Sequence, residues 1–244
     1  MNDLKEYFQN NNRNLIHKWD HYFEIYDRYF SKFRNKDIVL VEFGVFHGGS
    51  LQMWKHYFGD RVKIYGIDIN PNCIALKEDQ IEILIADQDD KNALNEISKK
   101  IPPIDILIDD GGHTMKQQIN TFQVFYNKVV NNGVYLCEDL HTSYWREYSG
   151  GYKKKNSFIE FSKHFIDDIH AWHSREPRKF KISDFTRSMY GLHFYDSVLV
   201  IEKREMTPPF DSKTGHESVK QYKFPITNKF FLRLIMKFLR IFFT

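Results

Sequence analysis

Five short apolar runs, four leading into an acid and one with an acid inside it, constrain the fold of this chain more than any other feature. Asp37 to Phe43 (DIVLVEF) carries one internal acid, Glu42. VKIYGIDIN and IEILIADQDD run into Asp68 and Asp87. Ile104 to Ile108 runs into Asp109 and Asp110, and GVYLC, Gly133 to Cys137, runs into Glu138 and Asp139. Between them lie stretches with helical periodicity, one opened by Ser50 (LQMWKHYF) and one from Met115 to Lys128. Continuously apolar strands alternating with helices predict a parallel sheet covered on both faces. Lys179 to Ile182 and His193 to Glu202 read as two later strands. The fold class expected is α/β, a doubly wound, mostly parallel seven-stranded sheet.

Four segments are expected. Residues 1–36 form a helical extension, because Leu15, Trp19, Tyr22, Phe23, Tyr26, Tyr29, Phe30 and Phe33 recur at helical spacing and predict one amphipathic helix from Leu15 to Phe33. Residues 37–205 form the α/β core. Residues 206–226 are polar and turn-rich and read as a linker. Residues 227–244 read as a basic amphipathic helix, with Lys229, Arg233, Lys237 and Arg240 on one stripe and Phe, Leu, Ile and Met around them. Such a helix suits a membrane interface, and packing against another subunit is the alternative.

Composition bears on compartment and partner. The formal net charge of +3 does not argue for nucleic acid. Cys73 and Cys137 are far apart, in no spacing typical of a metal site or disulfide, as expected of a reducing, cytoplasmic setting. The polar start shows no secretory signal, and no run reaches membrane-spanning length. Peripheral attachment at the inner face of a membrane, through residues 227–244, is compatible with this expectation.

In an open parallel sheet, ligands bind at the carboxyl ends of the strands, where the polar residues of this sequence collect. GVFHGGS, Gly44 to Ser50, makes the first strand-to-helix turn and fits neither GxGxxG nor the P-loop pattern. Its glycines, Gly44 and Gly48 among them, allow close backbone approach to a ligand. Asp68 can accept from both hydroxyls of a ribose, or cap a helix. Asp87 and Gln88 can read an adenine edge, or belong to an ordinary loop. Carboxylates gathered at adjacent strand ends repel one another unless a cation joins them. Oxygen donors without thiols suit Mg²⁺. His113 follows Asp110 by three residues and is a candidate base.

VEFGVFHGGS, YGIDIN and ADQ, in that order and spacing, resemble the class I S-adenosylmethionine-dependent methyltransferases over about Asp37 to Glu205. IDDGGH and CEDLH resemble more closely the metal-dependent sugar O-methyltransferases that act on macrolide sugars, with relatives in cephalosporin-hydroxylase-like and surface-polysaccharide loci. The resemblance implies a Rossmann-like fold and two cofactors, S-adenosylmethionine and Mg²⁺. It places the methionine end of the cofactor near Glu42, Gly44, His47, Gly48 and Ser50, the ribose on Asp68, and the adenine near Asp87 and Gln88. Asp109 would face the cofactor. Asp110, Glu138 and Asp139 would hold the metal, and His113 would act as general base; Asp109 and Asp110 can exchange roles. The function implied is methyl transfer to a sugar hydroxyl in capsule or lipopolysaccharide synthesis, by a homo-oligomer with a glycan acceptor and no nucleic acid. The rivals are an amine, small-molecule or nucleic-acid acceptor on the same fold, and a non-catalytic membrane-associated module that binds the cofactor. His141 and Tyr144 are further candidates for the acceptor pocket, and His47 could serve there too. His193 reads as structural. Lys153 to Lys155 and Arg175 to Lys181 could hold an anionic acceptor or form solvated loops.

Overall fold

Strand order and the two faces of the sheet explain where a site can form. The computed structural model describes residues 3–220, 222 and 234. The chain divides into two units, Met1–Pro208 and Pro209–Thr244. In the first, the order is α1 (Asp3–Gln9), α2 (Tyr22–Phe30), β1 (Ile38–Phe43), α3 (Gly49–Phe58), β2 (Val62–Asp68), β3 (Ile81–Ile85), α4 (Lys91–Ser98), β4 (Ile104–Asp109), α5 (Met115–Phe125), β5 (Val129–Cys137), α6 (Phe158–His170), β6 (Met189–Tyr195) and β7 (Val198–Lys203). The sheet runs β3-β2-β1-β4-β5-β7-β6. β1 to β5 are parallel, and β7 is antiparallel to both β5 and β6. The order reverses between β1 and β4, the switch point where a doubly wound sheet opens a crevice. In the second unit residues 209–220 are exposed and carry no helix or strand. The predicted basic helix over 227–244 lies outside the described residues, Leu234 apart. Among the described residues no helix is long and apolar enough to cross a membrane.

Alternation along each strand sends neighbours to opposite faces. Leu40, Ile64, Ile106 and Leu136 join one buried cluster, with Tyr22, Phe23, Tyr26 and Phe30 of α2 and Trp54 of α3. Val41, Ile67, Leu107 and Tyr135 join the other, with Phe122 and Phe125 of α5 and Phe165 of α6. The N-terminal extension therefore completes one face of the sheet.

Three expectations are corrected. The helix predicted from Leu15 to Phe33 exists only as α2, followed by a 3₁₀ turn over Ser31–Phe33. Residues 11–21 are irregular, with Leu15 and Trp19 56% and 54% exposed. Asn11 shapes the start of that segment, its side chain accepting from Arg13 N and donating to the Asn14 carbonyl. Lys179 to Ile182 forms turn and loop, not a strand. His193 to Glu202 is not one strand: Asp196 and Ser197 turn the chain and split it between β6 and β7. That hairpin restores the strand count to seven.

Candidate functional site

A cavity of about 520 Å³ opens at the carboxyl ends of β1, β2, β4 and β5. Of the predicted residues, Gly44, His47, Ser50, Asp68, Asp87, Gln88, Asp110, His113, Glu138 and Asp139 line it. Glu42, Gly48 and Asp109 do not. Glu42 and Asp109 are buried, and Gly48 turns the chain into α3 with φ +77°.

One half of the cavity is built on backbone. Gly44 has φ +87°, and a Cβ there would sit 2.0 Å from the Asp110 carbonyl oxygen, so the first turn packs directly against the β4 tip. Asp68 Oδ2 accepts from Val45 N at 2.8 Å and Phe46 N at 3.1 Å, while Oδ1 accepts from Asn70 N at 2.8 Å. The carboxylate thus braces the turn; both lone pairs of Oδ2 are taken, and Oδ1 keeps one for a ligand hydroxyl. Gln88 points inward. Its Nε2 donates to Asp109 Oδ1 at 2.9 Å and Thr121 Oγ1 at 2.8 Å, and its Oε1 accepts from Gly112 N at 2.9 Å. Both side-chain donors are therefore spent before any adenine arrives. Asp87 Oδ1 accepts from Asp89 N at 2.8 Å and its side chain remains at the cavity wall.

The other half is acidic. Glu42 accepts from Ser50 Oγ at 2.9 Å and Trp54 Nε1 at 3.1 Å; burial raises its pKa, and the Lys18 ammonium pulls it back. Glu138 accepts from Tyr26 OH at 2.7 Å, and burial, with the charge of Asp110 beside it, pushes its carboxyl well above the ordinary range. Asp139 accepts from Tyr22 OH at 2.8 Å. Asp109 is pushed up to about 8 by burial, against the Gln88 hydrogen bond that favours its charged form. A buried Lys18 spans this group, with Nζ 2.5 Å from Asp110 Oδ2, 3.0 Å from Glu138 Oε1 and 3.3 Å from Glu42 Oε1. Sequence reasoning missed Lys18, and took Tyr22 and Tyr26 for core residues only.

His113 directly precedes the α5 cap, where Thr114 and Gln117 form a capping box. Its Nε2 lies 3.4 Å from Asp139 Oδ2 and 3.7 Å from Asp110 Oδ1, while its buried Nδ1 has no hydrogen-bond partner. His113 and Asp139 hold φ of +58° and +54°, the left-handed region that non-glycine residues rarely adopt. Asp110, His113 and Asp139 bring ligand atoms within 4.8 Å of one another. Cis donors around Mg²⁺, each 2.0–2.1 Å from it, stand roughly 3 Å apart, so this corner fits a small divalent cation after modest contraction. Glu138, the third predicted ligand, is engaged by Lys18 and Tyr26.

Outside this cavity, His141 Nδ1 bonds Ser197 Oγ at 2.5 Å, and its ring meets Trp145 edge-on at 4.6 Å. His141 and Tyr144 line a second cavity of about 390 Å³. His193 pairs with Glu202 across the hairpin at 2.9 Å. Lys153 to Lys155 lie in an exposed loop, and Arg175 to Lys181 in a second, mostly exposed one.

No family model matches the chain. It is 32% identical over 212 residues to 8-demethyl-8-alpha-L-rhamnosyl tetracenomycin-C 2'-O-methyltransferase of Streptomyces olivaceus, covering 83% of this chain and 53% of that protein. It is 33% identical over 204 residues to demethylmacrocin O-methyltransferase of Streptomyces fradiae, covering 78% and 51%. Among solved structures, the MycE methyltransferase from the mycinamycin biosynthetic pathway, in complex with Mg, SAH and mycinamycin VI, superposes with a TM-score of 0.72 at 29% identity, over 84% of this chain and 53% of that one. The chain thus spans about half the length of the curated relatives it matches.

Proposed function

We propose that this chain, a homologue of S-adenosylmethionine-dependent sugar O-methyltransferases with their Rossmann-like fold, transfers a methyl group from S-adenosylmethionine to a sugar hydroxyl with the help of Mg²⁺. The observation that carries this reading is the corner of Asp110, His113 and Asp139 at one end of a cavity whose other end is the Gly44 to Ser50 turn braced by Asp68. S-adenosylmethionine supplies a strongly electrophilic methyl group and Mg²⁺ makes a sugar hydroxyl more acidic, so the protein has mainly to position the reactants and take one proton. Asp68 receives a ribose hydroxyl on the free lone pair of Oδ1. Asp110 and Asp139 hold the metal. His113 Nε2, turned toward both carboxylates, accepts the hydroxyl proton, and their charge holds the imidazolium in place.

The acceptor proposed is a glycan of a surface polysaccharide, capsule or lipopolysaccharide, methylated at the cytoplasmic face of a membrane by a homo-oligomer. Its support is the basic, Phe-rich run 227–244, whose composition suits a membrane interface. The named relatives act on sugars of antibiotics, so an acceptor screen includes glycosylated polyketides beside polysaccharide fragments.

Calorimetric titration with S-adenosylhomocysteine, in Mg²⁺ and then in EDTA, tests the reading on wild type and Asp110→Ala. The expected result is cofactor-product binding in both buffers, separate Mg²⁺ binding, and loss of only the metal in the variant. Absence of S-adenosylhomocysteine binding overturns the methyltransferase assignment.

A further inference from the structure

Four carboxylates, Glu42, Asp110, Glu138 and Asp139, come from the ends of β1, β4 and β5, and the chain places one buried ammonium among them. Lys18 has a side chain only 2% exposed and meets three acceptors with its three N–H donors, so its capacity is filled. A nest of hard carboxylate oxygens around one cation is also the environment a divalent ion takes. Lys18 thus consumes oxygens that a metal would use. Asp110 Oδ2 and Glu138 Oε1 face the ammonium, while Asp110 Oδ1 and Asp139 Oδ2 face His113.

The lysine is held there by its segment. Residues 15–19 form part of the cavity wall. Their approach to α3 needs a glycine, because a Cβ on Gly49 would lie 2.4 Å from the carbonyl oxygens of both Asn14 and Leu15. Farther along, Lys5 pairs with Asp20 at 2.7 Å.

We propose that Lys18 is the positioning residue of the cation site: its ammonium fills the nest of Glu42, Asp110 and Glu138, keeps a divalent ion out of it, and confines that ion to the Asp110–Asp139 corner beside His113. This rests on the cation-site reading above. Two protein carboxylates instead of three hold the ion more loosely and leave more of its coordination positions to acceptor oxygens. The same arrangement keeps the ion next to the base.

Mn²⁺ is the probe, with free ion counted by its paramagnetic resonance in titrations of wild type, Lys18→Met and the double variant Lys18→Met/Glu138→Gln. Thermal unfolding in EDTA checks that each is folded, and Lys18→Gln replaces Lys18→Met if the latter does not fold. The expected result is at least tenfold tighter Mn²⁺ binding in Lys18→Met, or a second bound ion, with the gain lost in the double variant. A role of Lys18 in packing alone would not strengthen ion binding. Unchanged affinity and stoichiometry in Lys18→Met, or a gain that survives Glu138→Gln, overturns the proposal. If wild type binds Mn²⁺ and Lys18→Met binds it equally, only the role of Lys18 falls. If none of the proteins binds Mn²⁺, the cation-site reading falls with it.

Discussion

Gly111→Ala tests whether the strand-end cluster is as tightly built as its contacts imply. A Cβ at position 111 would lie 1.9 Å from Gln88 Oε1 and 2.7 Å from its Cδ. A flexible side chain would normally swing aside at small cost. Gln88 is pinned by its bonds to Asp109, Thr121 and Gly112 N, all in a buried setting. Moving it breaks those three bonds, at about 1 kcal/mol each, and leaves buried groups unpaired, so the substitution costs about 3–4 kcal/mol. In a domain of this size that lowers Tm by roughly 6–16 °C. Gln88→Ala removes the same bonds without a clash, at a similar cost. The double variant then has nothing left to displace and costs no more than Gln88→Ala alone, a coupling of about 3 kcal/mol. Urea unfolding followed by tryptophan fluorescence measures all three. A Gly111→Ala protein within about 1 kcal/mol of wild type, or a double variant whose cost is the sum of the singles, would refute the reasoning.

Other substitutions probe neighbouring contacts. Asp109 carries a proton in the folded state up to about pH 8, whereas the ordinary carboxyl value is 3.8. Between those values the folded protein holds a proton that the unfolded chain lacks, so this group's stabilising contribution is complete below about pH 4 and is lost as pH rises toward 8. Asp109→Asn should flatten that part of the pH dependence in unfolding titrations; an unchanged slope counts against burial as the cause. Tyr26→Phe removes the hydroxyl that donates to buried Glu138 and should cost about 2 kcal/mol in urea unfolding; a cost under 0.5 kcal/mol would show that the bond contributes little. Asp68→Ala frees the N–H groups of Val45, Phe46 and Asn70 and should weaken S-adenosylhomocysteine binding at least tenfold by calorimetry, the equivalent of about 1.4 kcal/mol. Unchanged affinity would remove Asp68 from the cofactor reading. His113→Ala should abolish methyl transfer to a sugar acceptor yet leave S-adenosylhomocysteine affinity nearly unchanged; equal loss of both would refute its role as base.

Parts of this molecule that obey a short period were legible in the sequence, and parts set by distant charge were not. β1 to β4 follow from their apolar runs, because a strand buried on both faces needs no alternation. The hairpin of β6 and β7 escaped because Asp196 and Ser197, not a glycine pair, make its turn, with Ser197 itself at φ +64°. The segment ahead of α2 misled for a different reason. Leu15, Trp19, Tyr22 and Tyr26 keep helical spacing, yet the first two are largely exposed and the chain between them is irregular. Lys18 stands 92 residues from Asp110 and 120 from Glu138, beyond the reach of any local pattern. Electrostatics nonetheless holds a clue. Glu42 and Glu138 come from the same corner and are fully enclosed, and a buried carboxylate is costly unless paired. The sequence pattern assigns the acids gathered at adjacent strand ends a metal, and the structure adds an ammonium from the chain itself, Lys18, beside Glu42, Asp110 and Glu138. In an open sheet whose acids cluster at the switch point, the segment before the first strand is therefore a place to look for a lysine, since it can reach the crevice without belonging to the sheet.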